Sequence, residues 1–336
     1  MNQVSKLIGA IVCTLSLCTL SIGLASMATA QEKVTYNMAW LPQGSSIGVI
    51  VAAERDWFKE AGIDVSIVRG YGGGRTANEL DQGQFEIGYV DPISLVLNRN
   101  NGGKIRLVGA INTQWPGGIC YVVKQGQKKS LDDMRGLQLG GGSASPVHNV
   151  VPAWLEMNGK PRDFIRLVRL DPAVVDISLI EGKTDLAECW LASNWPLLRK
   201  QAKAAGVAID WVRYSDLGLN AYGSGFAARE DYIAKKPEVV RNFLRASYRG
   251  FDFARSNPDQ AADIAVKMFP TLDRAVVAEQ IREINDLIAD PDVASKGLGY
   301  LREDRMRSTL LFLDKAFELN GKIKLEEIYT NDMLAK

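Results

Sequence analysis

The fold is decided by residues 34–74, VTYNMAWLPQGSSIGVIVAAERDWFKEAGIDVSIVRGYGGG. The apolar run at 34–40 predicts a strand, residues 47–61 predict a helix that stops at Gly62, and residues 63–69 predict a second strand. The second strand leads into a glycine-rich turn, which is typical of the loop between a strand and a helix. The stretch therefore predicts a β-α-β unit, from which parallel sheets covered by helices are built.

The alternation of strands and helices continues along the chain and predicts a mostly parallel, doubly wound α/β structure. Further strands are expected at residues 85–90, 105–111, 119–124, 137–140, 165–170, 185–191, 209–214 and 226–229. The last strand is followed by four long amphipathic helices, at residues 236–257, 259–268, 272–289 and 303–319. A loop rich in Gly and Pro at 113–118 marks the expected crossing into a second lobe.

The N-terminus has the layout of a secretory signal peptide. Lys6 precedes an apolar run that ends at Ala28-Thr29-Ala30, and the run is too short and too often interrupted by small polar residues to span a membrane. We therefore expect residues 1–30 to be a signal peptide cleaved before Gln31, and the mature protein to be soluble in the periplasm. An uncleaved N-terminal anchor is the alternative, which the polar residues after the cleavage site disfavour.

The residues after the signal peptide are numerous enough for two domains, each with its own core. We predict a first lobe from residues 31–117, a second lobe from 118–224, and a return segment, 225–336, that adds its helices to the first lobe. The full chain carries a formal charge of +1, and the signal peptide removes one lysine, so acids and bases balance in the mature chain. This balance gives no indication of a nucleic-acid partner, and we expect a monomer.

Two cysteines, Cys120 and Cys189, lie beyond the predicted signal peptide. Both occur in apolar runs that resemble strands, where buried free thiols are common. The oxidising periplasm would also permit a disulfide between them. The sequence favours free thiols but leaves the disulfide open.

Residues that could support catalysis are scarce. The sequence contains one histidine, His148, and neither a P-loop pattern nor a spacing of zinc ligands, so we expect no metal and no cofactor. Ser143 and Ser145 lie close to His148 at the start of a predicted helix, where serine commonly caps the backbone. We therefore expect no catalytic residue among the three.

Two glycine-rich loops, residues 70–75 and 140–145, each follow a predicted strand and precede a helix. The backbone N–H groups of the second loop, with the Ser143 and Ser145 hydroxyls, could bind an anion or a polar ligand. The first loop does not have the dinucleotide-binding spacing, because Arg75 stands where glycine is required. A flexible turn explains the first loop equally well.

Aromatic and acidic side chains at predicted strand ends complete a candidate site, since open α/β sheets bind ligands there. Glu188 lies on the same side of its strand as Trp190, whereas Asp91 could equally cap the helix that follows it. Acids beside aromatic rings suit a ligand with an apolar or aromatic body and a protonated or N–H donor group. The candidate ligand-binding residues are Trp40, Gln43, Asp91, Trp115, Ser143, Ser145, Glu188 and Trp190.

The order of several short motifs resembles the NMT/THI-like group of ABC-importer binding proteins, relatives of taurine, alkanesulfonate, nitrate and thiamine-precursor binding proteins. The resemblance covers essentially the whole mature chain and implies a type II periplasmic-binding fold, with a ligand cleft between two lobes joined by two crossings. It also implies that Trp40, Asp91, Ser143, Ser145, Glu188 and Trp190 contact the ligand. The motifs are Trp40-Leu41-Pro42, residues 53–62 and 71–83, Asp91-Pro92, residues 130–136, residues 182–185 leading to Trp190, Lys236-Pro237-Glu238, Asn257-Pro258 and Tyr329-Thr330-Asn331.

This resemblance implies a small-molecule ligand that is delivered to an inner-membrane ABC permease with its ATPase, through hinge motion near residues 113–118 and 222–226. Glu188 would repel a nearby anion, which favours an amino-bearing or nitrogen-heterocyclic solute such as a pyrimidine, or a zwitterion such as taurine. The expected ligand class still includes an anionic solute, because the sequence does not decide among a sulfonate, a taurine-like zwitterion, an aromatic acid and a pyrimidine. Some eukaryotic relatives form a pyrimidine with a cysteine-rich segment that this sequence lacks. A periplasmic sensor module and a pyrimidine-forming or hydrolytic enzyme are the alternatives.

Overall fold

The computed structural model describes residues 31–289 and 293–334, and the predicted signal peptide, residues 1–30, lies outside the described residues. Within the described residues, ten strands form two five-stranded sheets. The strands are β1 Glu32–Asn37, β2 Ile63–Val68, β3 Ile87–Val90, β4 Ile105–Ala110, β5 Gly117–Val122, β6 Gln138–Gly142, β7 Arg166–Leu170, β8 Leu186–Trp190, β9 Ile209–Arg213 and β10 Gly225–Arg229.

The two sheets have the same topology. The first has the order β2-β1-β3-β10-β4, and the second has the order β7-β6-β8-β5-β9. In each sheet four strands run in one direction and the strand in the fourth position, β10 or β5, is antiparallel to both neighbours. We name the first sheet with the helices packed on it lobe 1, and the second sheet with its helices lobe 2. The sheets are mostly parallel, as the alternating pattern predicts.

Helices connect the strands and cover the sheets. None of the helices among the described residues is long and apolar enough to cross a membrane. The helices are α1 Ile47–Glu54, α2 Trp57–Glu60, α3 Gly73–Asp81, α4 Pro92–Asn100, α5 Val147–Met157, α6 Val175–Ile180, α7 Asn194–Ala204, α8 Glu230–Lys235, α9 Pro237–Ser256, α10 Pro258–Met268, α11 Arg274–Ile288, α12 Val293–Lys296, α13 Glu303–Phe317 and α14 Leu325–Ile328.

The expected helix at 47–61 is two helices, because Asp56 adopts a left-handed conformation (φ 59°) between α1 and α2. Aspartate is among the few residues that tolerate this region. Helix α3 begins at Gly73, inside the glycine-rich loop at 70–75 that was expected to precede the helix. The hydrophobic pattern therefore located both helical segments and missed the exact ends, which depend on single backbone angles.

The helices after β10 pack on lobe 1. Helix α9 lies across α1 so closely that a Cβ added at Gly250 would be 1.9 Å from the Gly48 carbonyl oxygen. Helix α11 packs against α9, α10 and the turn that precedes α1. Their buried side chains, among them Val277 and Ile281, share one apolar core with Ile47 of α1. The amphipathic C-terminal helices thus supply one wall of lobe 1.

The chain passes between the lobes in two segments that lie side by side. One runs from β4 to β5, and the other runs from β9 to β10. The N–H groups of Ile111 and Asn112 donate to the Ser224 carbonyl at 3.0 and 2.8 Å, and the Gly223 N–H donates to the Asn112 carbonyl at 3.0 Å. These bonds pair the two crossings where the lobes meet.

Cys120 and Cys189 form a disulfide, which corrects the expectation of free thiols. Strands β5 and β8 are antiparallel neighbours, and their register places Cys120 opposite Ala187 and Cys189 opposite Gly118. The two cysteines are therefore diagonal neighbours on one face, with their Cα atoms 5.6 Å apart, a common distance for a disulfide. The sequence could not reveal this because it does not show that strands so far apart along the chain are adjacent.

Candidate functional site

A cavity of about 470 Å³ lies between the two sheets and is walled by both lobes. Lobe 1 contributes the loops after β1 and β3, lobe 2 contributes the loops after β6, β7 and β8, and the first turns of α11 close one side. Open α/β sheets bind ligands at strand ends, and pockets of roughly 300–1,000 Å³ suit small organic ligands. Position and size make this cavity the candidate binding site.

Two tryptophan rings, one from each lobe, contribute aromatic surface to the wall, together with Tyr89. Trp40 follows Ala39, which is held in a left-handed conformation (φ 60°) while its N–H donates to Asn37 Oδ1 at 2.8 Å. The Trp40 ring reaches lobe 2, where a Cβ added at Gly142 would be 3.0 Å from Trp40 Cη2. Trp190 ends β8. Such rings offer apolar area and a face that attracts cations.

Glu188 is buried in the lobe 2 wall, with 4% of its surface exposed, and it holds that wall together through hydrogen bonds. Its Oε1 accepts a hydrogen bond from the Gly142 N–H at 2.6 Å, and its Oε2 accepts from the Ser145 hydroxyl and, at 2.9 Å, from Trp190 Nε1. Burial raises the pKa of Glu188, and these donors oppose the rise. The Glu188 carboxylate thus occupies the position in the glycine-rich loop where the sequence suggested an anionic or polar ligand.

Asp91 lies on the lobe 1 wall, just beyond β3, and is 5% exposed. Its Oδ1 accepts from the Ser94 N–H at 2.9 Å and its Oδ2 accepts from the Ser94 hydroxyl at 2.6 Å. Burial raises the pKa of Asp91, and the hydrogen bonds from Ser94 lower it. The sequence left a helix cap and a ligand contact as alternatives, and the structure shows the cap on a residue that also lines the cavity.

Polar side chains connect the two lobes beside the cavity. Gln43 Oε1 accepts a hydrogen bond from the Ser193 hydroxyl at 2.8 Å, across the lobe boundary. Gln280 of α11 donates through Nε2 to the Ser193 carbonyl at 2.5 Å and accepts through Oε1 from the Gly44 N–H at 2.9 Å. The Ala192 N–H donates to Glu283 Oε2 at 2.6 Å. Helix α11 therefore binds the loop after β8 while it remains packed on lobe 1.

Asp176, which the sequence did not single out, lies in the cavity wall at the start of α6. Its Oδ1 accepts from Asn194 Nδ2 at 2.7 Å, and Asn194 in turn accepts through Oδ1 from the Trp190 N–H at 2.8 Å. Burial raises the pKa of Asp176 to about 6, and the nearby Glu188 charge adds to this rise. Asp176 belongs to the same wall as Glu188 and Trp190.

The polar part of the described lining is rich in hydrogen-bond acceptors and contains no lysine, arginine or histidine. Its four carboxylates are Asp91, Asp176, Glu188 and Asp273. Asp273, at the rim, pairs with Lys200, which holds the pKa of Asp273 below its usual range. A cavity with this lining repels a bare anion and favours a ligand that supplies N–H donors or positive charge.

Two of the predicted site residues do not line the cavity. Trp115 is buried behind Trp190, with 5.5 Å between the ring centroids. Ser143 is exposed, and its N–H donates to the Leu170 carbonyl at 2.9 Å. His148 also lies outside the lining, with Nε2 2.9 Å from the Gly142 carbonyl oxygen and a pKa lowered by burial. Trp115 and His148 support the wall from behind, whereas Ser143 is exposed.

The same lining contains the other six predicted residues: Trp40, Gln43, Asp91, Ser145, Glu188 and Trp190. A family model described as NMT1/THI5 like matches residues 43–261, which include most of both walls. The chain belongs to the NMT1/THI5-like family. The resemblance that the sequence motifs carry is thereby confirmed.

This NMT1/THI5-like chain is similar to three known proteins whose names describe different activities. The riboflavin-binding protein RibY of Chloroflexus aurantiacus is 24% identical over 311 residues, which cover 90% of this chain and 86% of RibY. The 4-amino-5-hydroxymethyl-2-methylpyrimidine phosphate synthase THI13 of Saccharomyces cerevisiae is 22% identical over 258 residues, 74% of this chain and 75% of the synthase. The third similar protein is a solved structure.

That structure is the periplasmic aliphatic sulphonate binding protein SsuA from Escherichia coli. It matches with a TM-score of 0.67 and 18% sequence identity, over 90% of this chain and 99% of SsuA. The NMT1/THI5-like chain therefore has the type II periplasmic-binding fold predicted from its motifs. At this identity, the similarity establishes the fold and leaves the ligand to be inferred from the cavity itself.

Asp176 was not predicted as a site residue because the sequence of α6 has the pattern of an ordinary amphipathic helix. An acid in its first turn is common on a solvated face, where it interacts favourably with the helix dipole. The structure instead turns Asp176 toward Asn194 and Glu188. Among the described residues, no group of three His, Cys, Asp or Glu side chains is arranged to hold a metal ion.

Proposed function

We propose that this protein is the periplasmic solute-binding component of an ABC importer, which captures a small nitrogen-containing or zwitterionic organic solute and delivers it to an inner-membrane permease. The observation that carries the proposal is the cavity of about 470 Å³ between the lobes, lined by Trp40 of one lobe and Trp190 of the other. A ligand there contacts both lobes at once, as capture by closure requires.

The proposed mechanism is a hinge motion between the two lobes. Lobe 1, formed by residues 31–117 and 225–336, would open and close against lobe 2, formed by residues 118–224. The paired crossings, near residues 113–118 and 222–226, are the segments where the backbone would turn. The hydrogen bonds from Ser193 to Gln43 and from Gln280 to Ser193 exist only while the lobes touch. Solute that contacts both walls stabilises this closed form, and the balance between open and closed forms shifts accordingly.

An enzyme is the second candidate, since the yeast relative is named as a synthase. The described cavity lining offers no histidine, lysine or cysteine as a base or nucleophile. His148 is 9% exposed and hydrogen-bonds a backbone carbonyl behind the wall. The lining therefore supports capture better than chemical conversion.

The test is a thermal-shift screen of the refolded mature protein against sulfonates, nitrate, aromatic acids, amines, pyrimidines and vitamins, with mass analysis of each compound afterwards. A solute present at about 100 times its Kd should stabilise the protein by about 2.7 kcal/mol, enough to raise Tm by several degrees. We expect at least one solute to bind and to be recovered unchanged. Recovery of a converted compound would replace the binding function by an enzymatic one.

Trp190→Ala should weaken that binding at least about tenfold, because it removes an aromatic wall of the cavity. Trp211→Ala is the matched control, since Trp211 lies in the same sheet, stacks on Trp195 at 5.0 Å and does not line the cavity. We expect Trp211→Ala to lower stability and leave Kd within about twofold of the wild-type value. Equal losses of affinity in both variants would place the binding site elsewhere.

A further inference from the structure

The carboxylates of the cavity differ in how well the protein itself satisfies them. Glu188 accepts hydrogen bonds from three protein donors, Asp91 accepts two from Ser94, and Asp273 pairs with Lys200. Asp176 accepts one hydrogen bond, from Asn194, and has no ion-pair partner within the described part of the chain. A partly buried carboxylate without a cation is unfavourable unless something else pairs with it.

Two amide oxygens of lining residues have no donor at all among the described residues. Asn112 is 2% exposed, and while its Nδ2 donates to the Tyr89 hydroxyl at 2.8 Å, its Oδ1 has no hydrogen-bond partner among the described residues. Gln201 Oε1 is buried and equally without a described partner. Buried polar atoms are normally satisfied, but both oxygens are shielded from the cavity as well as from bulk solvent. They add unsatisfied acceptors to the wall, whereas the contact within reach of a ligand is the Asp176 carboxylate.

The mouth of the cavity has the opposite character. Leu41 from lobe 1 and Ile177 and Leu197 from lobe 2 line it and remain 42%, 37% and 37% exposed. Apolar side chains that stay exposed around a cleft mark a surface that an apolar group covers. The cavity therefore combines an acceptor-rich wall with an apolar mouth.

Resting on the proposed binding function, we propose that Asp176 determines the specificity of this cavity by pairing with an ammonium or amidinium group of the solute, whose apolar or aromatic body lies against Trp40, Trp190 and the apolar mouth. A charge-assisted hydrogen bond to the Asp176 carboxylate would satisfy its second oxygen. The absence of lysine, arginine and histidine from the described lining removes any competing internal cation.

The experiment compares solutes that share a body and differ in one group: tryptamine, tryptophol and indole-3-propionate, and benzamidine, benzamide and benzoate. Each is titrated into the refolded protein at pH 7 by calorimetry. The amine or the amidine should bind at least about tenfold more tightly than its neutral and acidic counterparts, since a charge-assisted hydrogen bond is stronger than one between neutral groups. Ethanesulfonate and taurine are the anionic and zwitterionic comparisons, respectively.

Asp176→Asn should abolish this preference, and Asp176→Glu should retain it because it restores the charge. Asp171→Asn is the matched control, since Asp171 is an exposed acid in the same loop region, outside the lining, whose cap to the Ala173 N–H asparagine can also form. Far-ultraviolet circular dichroism verifies that each variant is folded. Loss of the preference in Asp171→Asn, or its persistence in Asp176→Asn, would reject the assignment.

A pH series gives a second readout that a merely structural role would not affect. Asp176 has a pKa of about 6, and the titratable group that faces it is Glu188 of β8, while Asn194 of α7 is neutral. Affinity for the cation should therefore fall as the pH drops from 7 to 5 and Asp176 takes up a proton. Asp176→Asn should show a flatter profile.

The outcomes separate this inference from the proposed function. Tight binding of a sulfonate or a carboxylate, equal in wild type and Asp176→Asn, would overturn the inference and leave the binding function intact. Conversion of a probe would overturn the function itself. Failure of every ammonium and amidinium probe to bind would also reject the inference.

Discussion

The two walls of the cavity are built on the same strand order but are held in different ways. The third strand of the first sheet, β3, ends just before Asp91, and the third strand of the second sheet, β8, carries Glu188. Asp91 is satisfied by Ser94, three residues away, whereas Glu188 is satisfied by Gly142 and Ser145 from a distant loop. The buried carboxylate of the lobe 1 wall is therefore held by a local helix cap, and that of the lobe 2 wall is held by tertiary contacts.

The disulfide adds to this difference. Cys189 lies between Glu188 and Trp190 along β8, and its bond to Cys120 ties β8 to β5 on the face away from the cavity. Within the described residues, the lobe 1 sheet has no such covalent link. The lobe 2 wall is thus fixed from both faces, which suits a wall that carries several polar groups in a set geometry.

Removal of the disulfide should cause the largest loss of stability, and the loss should be confined to the lobe 2 sheet. The cysteines are 69 residues apart, and the chain-entropy model gives about 4 kcal/mol for closing a loop of that length. We expect the Cys120→Ala, Cys189→Ala double variant to lose stability of that order in urea denaturation. Hydrogen exchange should then rise in β5 and β8 and stay unchanged in β3 and β4.

The wild-type protein unfolded and refolded in reductant is the control, and it should match the double variant. An unchanged urea midpoint would mean that lobe 2 packing alone holds β5 against β8. Faster exchange in both sheets would mean that the disulfide stabilises the whole molecule and not one wall.

The two carboxylates should differ when each is truncated. Glu188→Ala leaves the Gly142 N–H, the Ser145 hydroxyl and Trp190 Nε1 without an acceptor, which should cost about 3 kcal/mol. Asp91→Ala removes a helix cap and should cost about 1 kcal/mol. Urea denaturation at pH 7 measures both.

Glu188→Gln and Asp91→Asn are the matched controls, because each keeps an acceptor oxygen in place. We expect Asp91→Asn to be nearly neutral and Glu188→Gln to retain part of the loss, since one oxygen cannot serve donors on both sides. Similar losses for the two alanine variants would contradict the distinction between a local and a tertiary wall.

The two-sheet α/β fold was largely predictable because it depends on local patterns. The alternation of apolar strands with amphipathic helices located every strand of both sheets, with ends displaced by a few residues. The first strand was expected to reach Trp40 and ends at Asn37, since Ala39 turns the chain with a left-handed backbone angle. Such a turn depends on one residue and does not alter the hydrophobic pattern.

The site was predictable for residues near the ends of strands and in the loops that follow them, among them Gln43, Ser145 and Glu188. That rule located Trp40, Asp91 and Trp190 at the cavity, but it also selected Trp115, which packs behind Trp190. Whether a strand-end side chain faces a cavity or a neighbour depends on tertiary packing. For the same reason neither the disulfide nor Asp176 could be read from the sequence.

The smallest expected effect concerns the ion pairs that join the walls at the rim. Arg199 of α7 pairs with Glu279 of α11, and Lys200 pairs with Asp273. These side chains are 38–54% exposed, so each pair should contribute little and should be screened by salt. Glu279→Gln should therefore weaken solute binding by only about twofold at low ionic strength.

A buried contact lies next to these exposed ion pairs. Gln280, one residue on, is 5% exposed and links Gly44 to Ser193 by two hydrogen bonds. Gln280→Ala should weaken binding more than Glu279→Gln, and salt should not rescue or mask its effect, because buried contacts are screened much less. Calorimetric titration of both variants at low and high salt measures the difference. A salt-sensitive loss of tenfold or more in Glu279→Gln would show instead that the exposed pairs, and not the buried amide, hold the lobes closed.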